Sequence, residues 1–355
     1  MRTFHAPRTT AVLLALIAAV ALLAASCDAA GGSWSSTAEM AATRAAHTAT
    51  LLADGRVLIV GGPQEPNAEL YDPATDETTS AGDLNTERFF HTATRLADGR
   101  VLVAGGRQPL TSIRSAEIYN PSTGTWRGTT GMHVKRSSHT ATLLDDGTVL
   151  VTGGINQGNA LASAELFDPA TRTWTLLTPM NGPRFGHTAT KLSDGRVLVA
   201  GGDSVPQVFD PKTRKWTATG PLATPHTSGE AIRIGKKVLL VGGYDESGSD
   251  PSNVSELYDP ATNHWSTTGP MRHARAEFAL APLGDGRVLA SGGFGADNHA
   301  EAYNPATGTW TSVEDMAEPR QNQTATMLDD GSVLVTGGFS DDLMDNVPTT
   351  ERFTP

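Results

Sequence analysis

"HTATLLADGRVLIVGG" (residues 47–62) holds four signals in one short stretch. It opens with alternating polar and apolar residues and reaches an Asp-Gly pair. An uninterrupted apolar run follows and ends in a glycine doublet. The alternation predicts a strand with two different faces. Asp-Gly predicts a tight reversal, and the apolar run predicts a strand buried on both faces. The phrase returns as "HTATRLADGRVLVAGG" (91–106), "HTATLLDDGTVLVTGG" (139–154) and "HTATKLSDGRVLVAGG" (187–202). Glycine doublets stand at 61–62, 105–106, 153–154, 201–202, 242–243, 292–293 and 337–338, seven in all and 41 to 50 residues apart. A fixed period of this length identifies a repeat architecture, in which each unit buries its core only against its neighbours.

A second phrase follows each doublet after a variable loop: "AELYDPATDET", "AEIYNPSTGTW", "AELFDPATRTW", "PQVFDPKTRKW", "SELYDPATNHW", "AEAYNPATGTW" and a final, shortened "TERFTP". "AELYD" reads as a third strand. "DPAT" reads as a turn with Asp first and Pro second. The Trp opens a fourth strand. Each unit is therefore a four-stranded antiparallel sheet, and the chain is all-β.

The glycine doublet, the aromatic before Asp/Asn-Pro and the Trp six residues after that Asp or Asn resemble the kelch repeat, over residues 34–355. The resemblance implies a seven-bladed β-propeller. The ends agree. The last unit stops after strand three, while "SWSSTAEM" (33–40) parallels "TWTSVEDM" (309–316). The N-terminal strand is thus expected to complete the last blade beside the C-terminal one. Thr78 stands where the other outer strands carry Trp34, Trp126, Trp174, Trp216, Trp265 and Trp310, so the first blade's outer strand is expected to be the loosest. The tryptophans are expected to pack between blades.

Residues 1–26 have the layout of a signal peptide: Arg2 and Arg8 precede the uncharged run "AVLLALIAAVALLAA" (11–25). Cys27, the single cysteine, closes "LAASC", which resembles the lipobox of bacterial lipoproteins. The resemblance implies lipidation at Cys27, a short linker over 27–33, and a mature chain exported and anchored to a membrane, facing the cell surface or the periplasm. One cysteine allows no internal disulfide, so packing alone must hold the fold. The net charge of −11 argues against nucleic acid as a partner. A monomer is expected.

Four blades carry His in strand one: His47, His91, His139 and His187. Equivalent residues sit about one-seventh of a turn apart and cannot converge within about 2 Å of one ion. No metal and no cofactor are therefore expected. Three residues before each His position stands Arg44, Arg88, Arg136, Arg184, Arg275 or Arg320, with His226 in the remaining blade. An odd offset puts Arg and His on opposite faces of a strand. Arginines at this position bind acidic peptides in kelch adaptors of ubiquitin ligases, so the resemblance makes these six candidate ligand contacts at one channel mouth. The residue series Glu69, Glu117, Glu165, Gln207, Glu256, Glu301 and Glu351 in strand three offers the opposite role, internal pairing. Gln207 in the fourth unit and His226 in the fifth depart together, which hints at pairs between neighbouring blades. A neutral imidazole at 226 is not expected to replace the guanidinium fork.

The loops after the doublets vary most. "YDESGSDPSN" (244–253) and "FSDDLMDN" (339–346) are acidic and "RQPLTSIR" (107–114) is basic, which suits a protein or glycan partner. Kelch propellers also occur in copper radical oxidases and in sialic acid epimerases. The former need a Cys–Tyr cross-link, which no cysteine of the repeat region supplies. No G-x-S-x-G, H-E-x-x-H or phosphate-binding glycine loop is present, so no catalytic residue is assigned. The sequence favours a noncatalytic binding module at the cell envelope with its ligand at the channel mouth. A sugar-modifying enzyme with its site at the same mouth is the alternative.

Overall fold

The computed structural model describes residues 31–63, 67–202 and 205–355. The expected leader (1–26) and Cys27 lie outside the described residues. Seven four-stranded antiparallel sheets form, one per repeat. In the first, Thr48–Leu51 pairs with Val57–Val60, then Asn67–Asp72, then Glu77–Asp83. In the last, Thr324–Met327, Val333–Thr336 and Thr350–Thr354 are completed by Ser33–Ser36 from the other end of the chain. Trp34 lies opposite Phe353 in this register, as the parallel between the two end segments predicts. The fold is the seven-bladed propeller that the repeats imply.

The apolar run of strand two has a simple cause. Its residues alternate between two neighbours. Val101 and Val103 of the second blade pack on Leu58 and Val60 of the first. Leu102 and Ala104 pack on Val149 and Val151 of the third. The hydrophobic core is therefore seven separate seams between blades. Aliphatic burial drives each seam, and hydrogen bonds fix its register.

The tryptophans reach across these seams. Trp126 Nε1 donates to the carbonyl of Ala81 (2.9 Å), Trp174 Nε1 to Thr130 (2.8 Å) and Trp216 Nε1 to Thr178 (2.9 Å), each on the preceding blade. Trp34 makes the same bond to the carbonyl of Glu314 (2.6 Å) and packs at 5.1 Å against Phe353, the rings tilted at 57°. Thr78 has no such bond, and its buried hydroxyl is unpartnered. The strand around it is nevertheless long and well paired, Glu77–Asp83, with one bulge. The expected looseness of the first blade is not found, because the bulge extends its pairing as far as Asp83.

The glycine doublets dock one blade on the next. The N–H of Gly154 donates to the carbonyl of Arg184 in the following blade at 2.8 Å. A Cβ on Gly153 would stand 2.6 Å from that same carbonyl and 2.6 Å from the His187 ring, and its φ is 58°. Only glycine fits both the space and the angle.

Closure by Trp34 is testable. Trp34→Ala removes a half-buried ring and a bond across the seam, and should cost about 2–3 kcal/mol. The melting temperature should fall by several degrees. A variant melting like the parent would show that the N-terminal strand does not hold the ring shut.

Candidate binding site at the channel throat

Crossovers between blades and the loops joining strands two and three share one end of the channel. Isolated bridges show this: Phe89 pairs with Arg107, Ser137 with Ile155, Thr227 with Tyr244, Ala276 with Phe294 and Gln321 with Phe339. The six arginines of the sequence pattern lie at this end, but none is within a ligand's reach. Arg44, Arg88, Arg136 and Arg275 are 0% exposed, Arg184 is 1% and Arg320 is 2%. The expectation of ligand contact at these six residues is corrected by their burial.

Each arginine is a clasp within its own blade. Arg136 Nη1 donates to the carbonyl of Gly153 (2.6 Å), and Nη2 donates to Glu165 Oε1 (2.9 Å). Arg44 pairs likewise with Glu69, Arg88 with Glu117, Arg275 with Glu301 and Arg320 with Glu351. The other carboxylate oxygen takes a backbone N–H of the crossover, as Glu117 does from Asn85 (2.8 Å) and Glu351 from Ala317 (2.8 Å). The hint of pairing between neighbouring blades is thus also corrected: the partners lie in one blade, and the carboxylate ties down the incoming chain. In the fifth blade His226 does bridge as the guanidinium does elsewhere, with Nδ1 2.6 Å from the Gly242 carbonyl and Nε2 3.0 Å from Glu256.

The fourth blade is the exception. Gln207 Oε1 accepts the Asn181 N–H (3.0 Å), but its buried Nε2 finds no acceptor among the described residues. Among the described residues Arg184 bonds only the carbonyls of Gly201 and Val205, and burial lowers its pKa to about 10. Gln207→Glu would give this buried cation a carboxylate, as five other blades do. The variant should gain about 1–3 kcal/mol, whereas Arg136→Ala, which strands Glu165, should lose about 3–5. Melting curves of the two variants check both signs, and a destabilised Gln207→Glu would refute the clasp.

The histidines form a second, inner series across the seams. His91 Nε2 lies 2.9 Å from Thr48, His139 Nε2 3.1 Å from Thr92 and His47 Nε2 2.8 Å from Thr336. Burial, then the neighbouring arginines, lowers the pKa of His47 and His187 to about 3. Burial also holds His91 and His139 far below the usual range. Below pH 6.5 the unfolded chain binds protons that these folded rings refuse. Stability is therefore complete above pH 6.5 and falls as pH drops toward 3, by up to about 1.4 kcal/mol per pH unit per ring. Gln323 fills the same place in the last blade and donates to the Ser291 carbonyl at 2.7 Å. His187→Gln should therefore flatten the slope of stability against pH between 6.5 and 4, as measured by denaturation at several pH values. An unchanged slope would contradict the burial argument.

Inside these rings lies a third series that sequence reasoning missed. Ala46, Phe90, Ser138, Gly186, Ser228, Glu277 and Asn322 all have left-handed backbone, with φ between 49° and 56°. Each donates its N–H to the carbonyl of its counterpart in the preceding blade, and Ala46 donates to Asn322. The distances run from 2.7 to 3.3 Å, and the seven bonds close a circle around the channel. Gly and Asn suit this backbone; the bulky Phe90 and Glu277 do not. Strain of this kind costs about 1–3 kcal/mol and clusters at functional sites. The repeat register carried the signal, since Phe and Glu stand there among small residues.

The circle is the throat of a cavity of 540 Å³. Phe90 (36% exposed), Phe185 (38%) and Phe294 (41%) stand open around the mouth. The Tyr244 ring lies 6.3 Å from that of Phe294, tilted at 46°, and its hydroxyl donates to Glu277 at 3.2 Å. Asn322 Nδ2 donates to the other Glu277 oxygen at 2.7 Å. Burial and Glu277 together push the Tyr244 pKa up to about 12. Arg107 lies 5.3 Å above the Phe89 ring across the mouth. A second cavity of 330 Å³ lies at the opposite end among exposed hairpin turns, where Asp194 is held by Arg196 and Asp145 by Lys191.

Comparison with known proteins agrees with this geometry. The kelch motif matches residues 89–133, 136–181, 229–272 and 278–317. Four kelch motifs therefore lie within this seven-bladed β-propeller. A solved structure of a fungal alcohol oxidase of the AA5 family, in complex with copper, superposes with a TM-score of 0.79 at 19% identity, covering 91% of this chain and 76% of that one. At that identity the likeness concerns the fold alone. No curated protein matches. The propeller's residues do not fit a copper centre: its seam histidines are each bonded to a threonine, and no group of three or more His, Cys, Asp or Glu side chains among the described residues could hold a metal ion.

Proposed function

We propose that this propeller is a noncatalytic binding module that takes its ligand at the channel mouth. The ligand is a protein or glycan of the cell envelope. The reading includes export, with Cys27 lipidated as the membrane anchor, on the strength of the leader-like run and "LAASC". The observation that carries it is the throat. Two large side chains, Phe90 and Glu277, occupy left-handed positions that the other five blades fill with Ala, Ser, Gly or Asn. Exposed aromatic rings surround them. The ligand surface is thus the throat and its aromatic rim, and the arginine clasps support it from behind.

The test exploits the strain. Phe90→Ser with Glu277→Asn installs residues that other blades already use at these positions, so the backbone circle is kept. The double variant should melt at the same or a higher temperature, by the usual opposition of stability and function. Probed on peptide and glycan arrays beside the parent, it should lose the parent's bound members. Retained array binding with unchanged stability would remove the throat from the binding surface.

A further inference from the structure

The inside of the channel carries a chemistry that the repeats do not explain. In the seams of the first, second, third and last blades, the strand-one threonine (Thr48, Thr92, Thr140 and Thr324) meets the imidazole of the following blade. The fifth blade has Glu230 at this position, and the following blade presents Phe278 in place of His. Glu230 lines the cavity, and no side-chain hydrogen bond or ion pair satisfies its carboxylate among the described residues. Glu230 is half-buried; a carboxylate that has lost part of its water without gaining a partner is costly, and burial pushes its pKa up to about 7.

The rest of the lining defines what would satisfy it. Glu277 adds a second carboxylate, oriented by Tyr244 and Asn322. No Lys or Arg among the described residues lines the cavity, and burial keeps its histidines neutral. An anion would meet two carboxylates and no cationic side chain. A bare metal ion would lack ligands, since no suitable group of side chains exists among the described residues. Phe90, Phe185 and Phe278 supply aromatic surface to the same space, and such surface attracts cations carried on carbon chains. Small residues at 46, 138, 186 and 228 leave the throat unblocked on those blades.

We propose that the channel is a binding site for an organic ammonium group, with Glu230 and Glu277 as its counter-charges and Phe90, Phe185 and Phe278 as its walls. The inference rests on the mouth being the ligand surface and names the chemistry it recognises. The ammonium is either a free alkylamine or a lysine side chain of a partner polypeptide.

The experiment titrates the full chain by calorimetry at pH 8, where Glu230 is ionised. The probes are pentylammonium, its neutral counterpart 1-pentanol, its anionic counterpart pentanoate, and the peptide acetyl-Gly-Lys-Gly-amide. Pentylammonium should bind at least about tenfold tighter than pentanol or pentanoate, a difference of about 1.4 kcal/mol. Glu230→Gln should weaken pentylammonium at least about tenfold and leave pentanol unchanged. Its melting temperature at pH 8 should stay equal or rise, because the unsatisfied charge is gone. A lysine peptide binding at least about tenfold tighter than pentylammonium assigns the group to a partner polypeptide; equal or weaker peptide binding assigns it to a free amine. Pentanol binding as tightly as pentylammonium, or an unchanged affinity in Glu230→Gln, would overturn the proposal. If either occurs while an array ligand still requires Phe90, this inference falls alone and the mouth remains the binding surface.

Discussion

A guanidinium removed from water must find acceptors, and six blades of this propeller are organised around that demand. Each buried Arg collects the carbonyl of its blade's first doublet glycine, and five also collect a strand-three carboxylate. The carboxylate in turn holds the chain arriving from the preceding blade. Strand two, strand three and the crossover are thereby fixed by one charge network. Apolar packing alone would leave their relative positions loose, since aliphatic seams tolerate sliding far better than hydrogen bonds do. A network of this kind is costly to break and of modest net worth to form. It specifies geometry more than it adds stability.

Around this frame the seams are repeated but not identical. Imidazole–hydroxyl contacts close the seams on either side of the first three blades, an amide closes the one before the last blade, and the two flanking the fifth blade have neither. Gly229 and Phe278 replace the histidines there, and Glu230 replaces a threonine. The irregular sector is also where Tyr244, Glu277 and Phe294 gather at the mouth. Departure from the repeat and chemical singularity thus coincide in the fifth and sixth blades.

Much of the fold was legible in the residues. Alternation, Asp-Gly and the glycine doublets state the strand order, and the two truncated ends state how the ring closes. The arginines were legible as a series but not as buried ones. Their distance from solvent depends on how the crossover folds back over strand three, a long-range packing event with no local signature. The exchange of Gln207 for Glu and His226 for Arg looked like one coupled pair across blades and is two separate departures, each within its own blade. The throat was illegible for another reason. Its bonds join backbone to backbone, and side chains that take no part leave no shared residue type to recognise. Only the oversized members, Phe90 and Glu277, stand out once the repeats are set in register.

That independence has a consequence for how such a molecule can change. The circle at the throat is built without side chains, so the seven positions on it form an interchangeable palette at the centre of an invariant frame. Substitution there is limited chiefly by left-handed backbone strain of about 1–3 kcal/mol; only at Glu277 and Asn322 are side-chain contacts between blades also lost. A lineage of such propellers could therefore exchange one ligand for another by rewriting single codons at the hub, while the wheel around it stays the same.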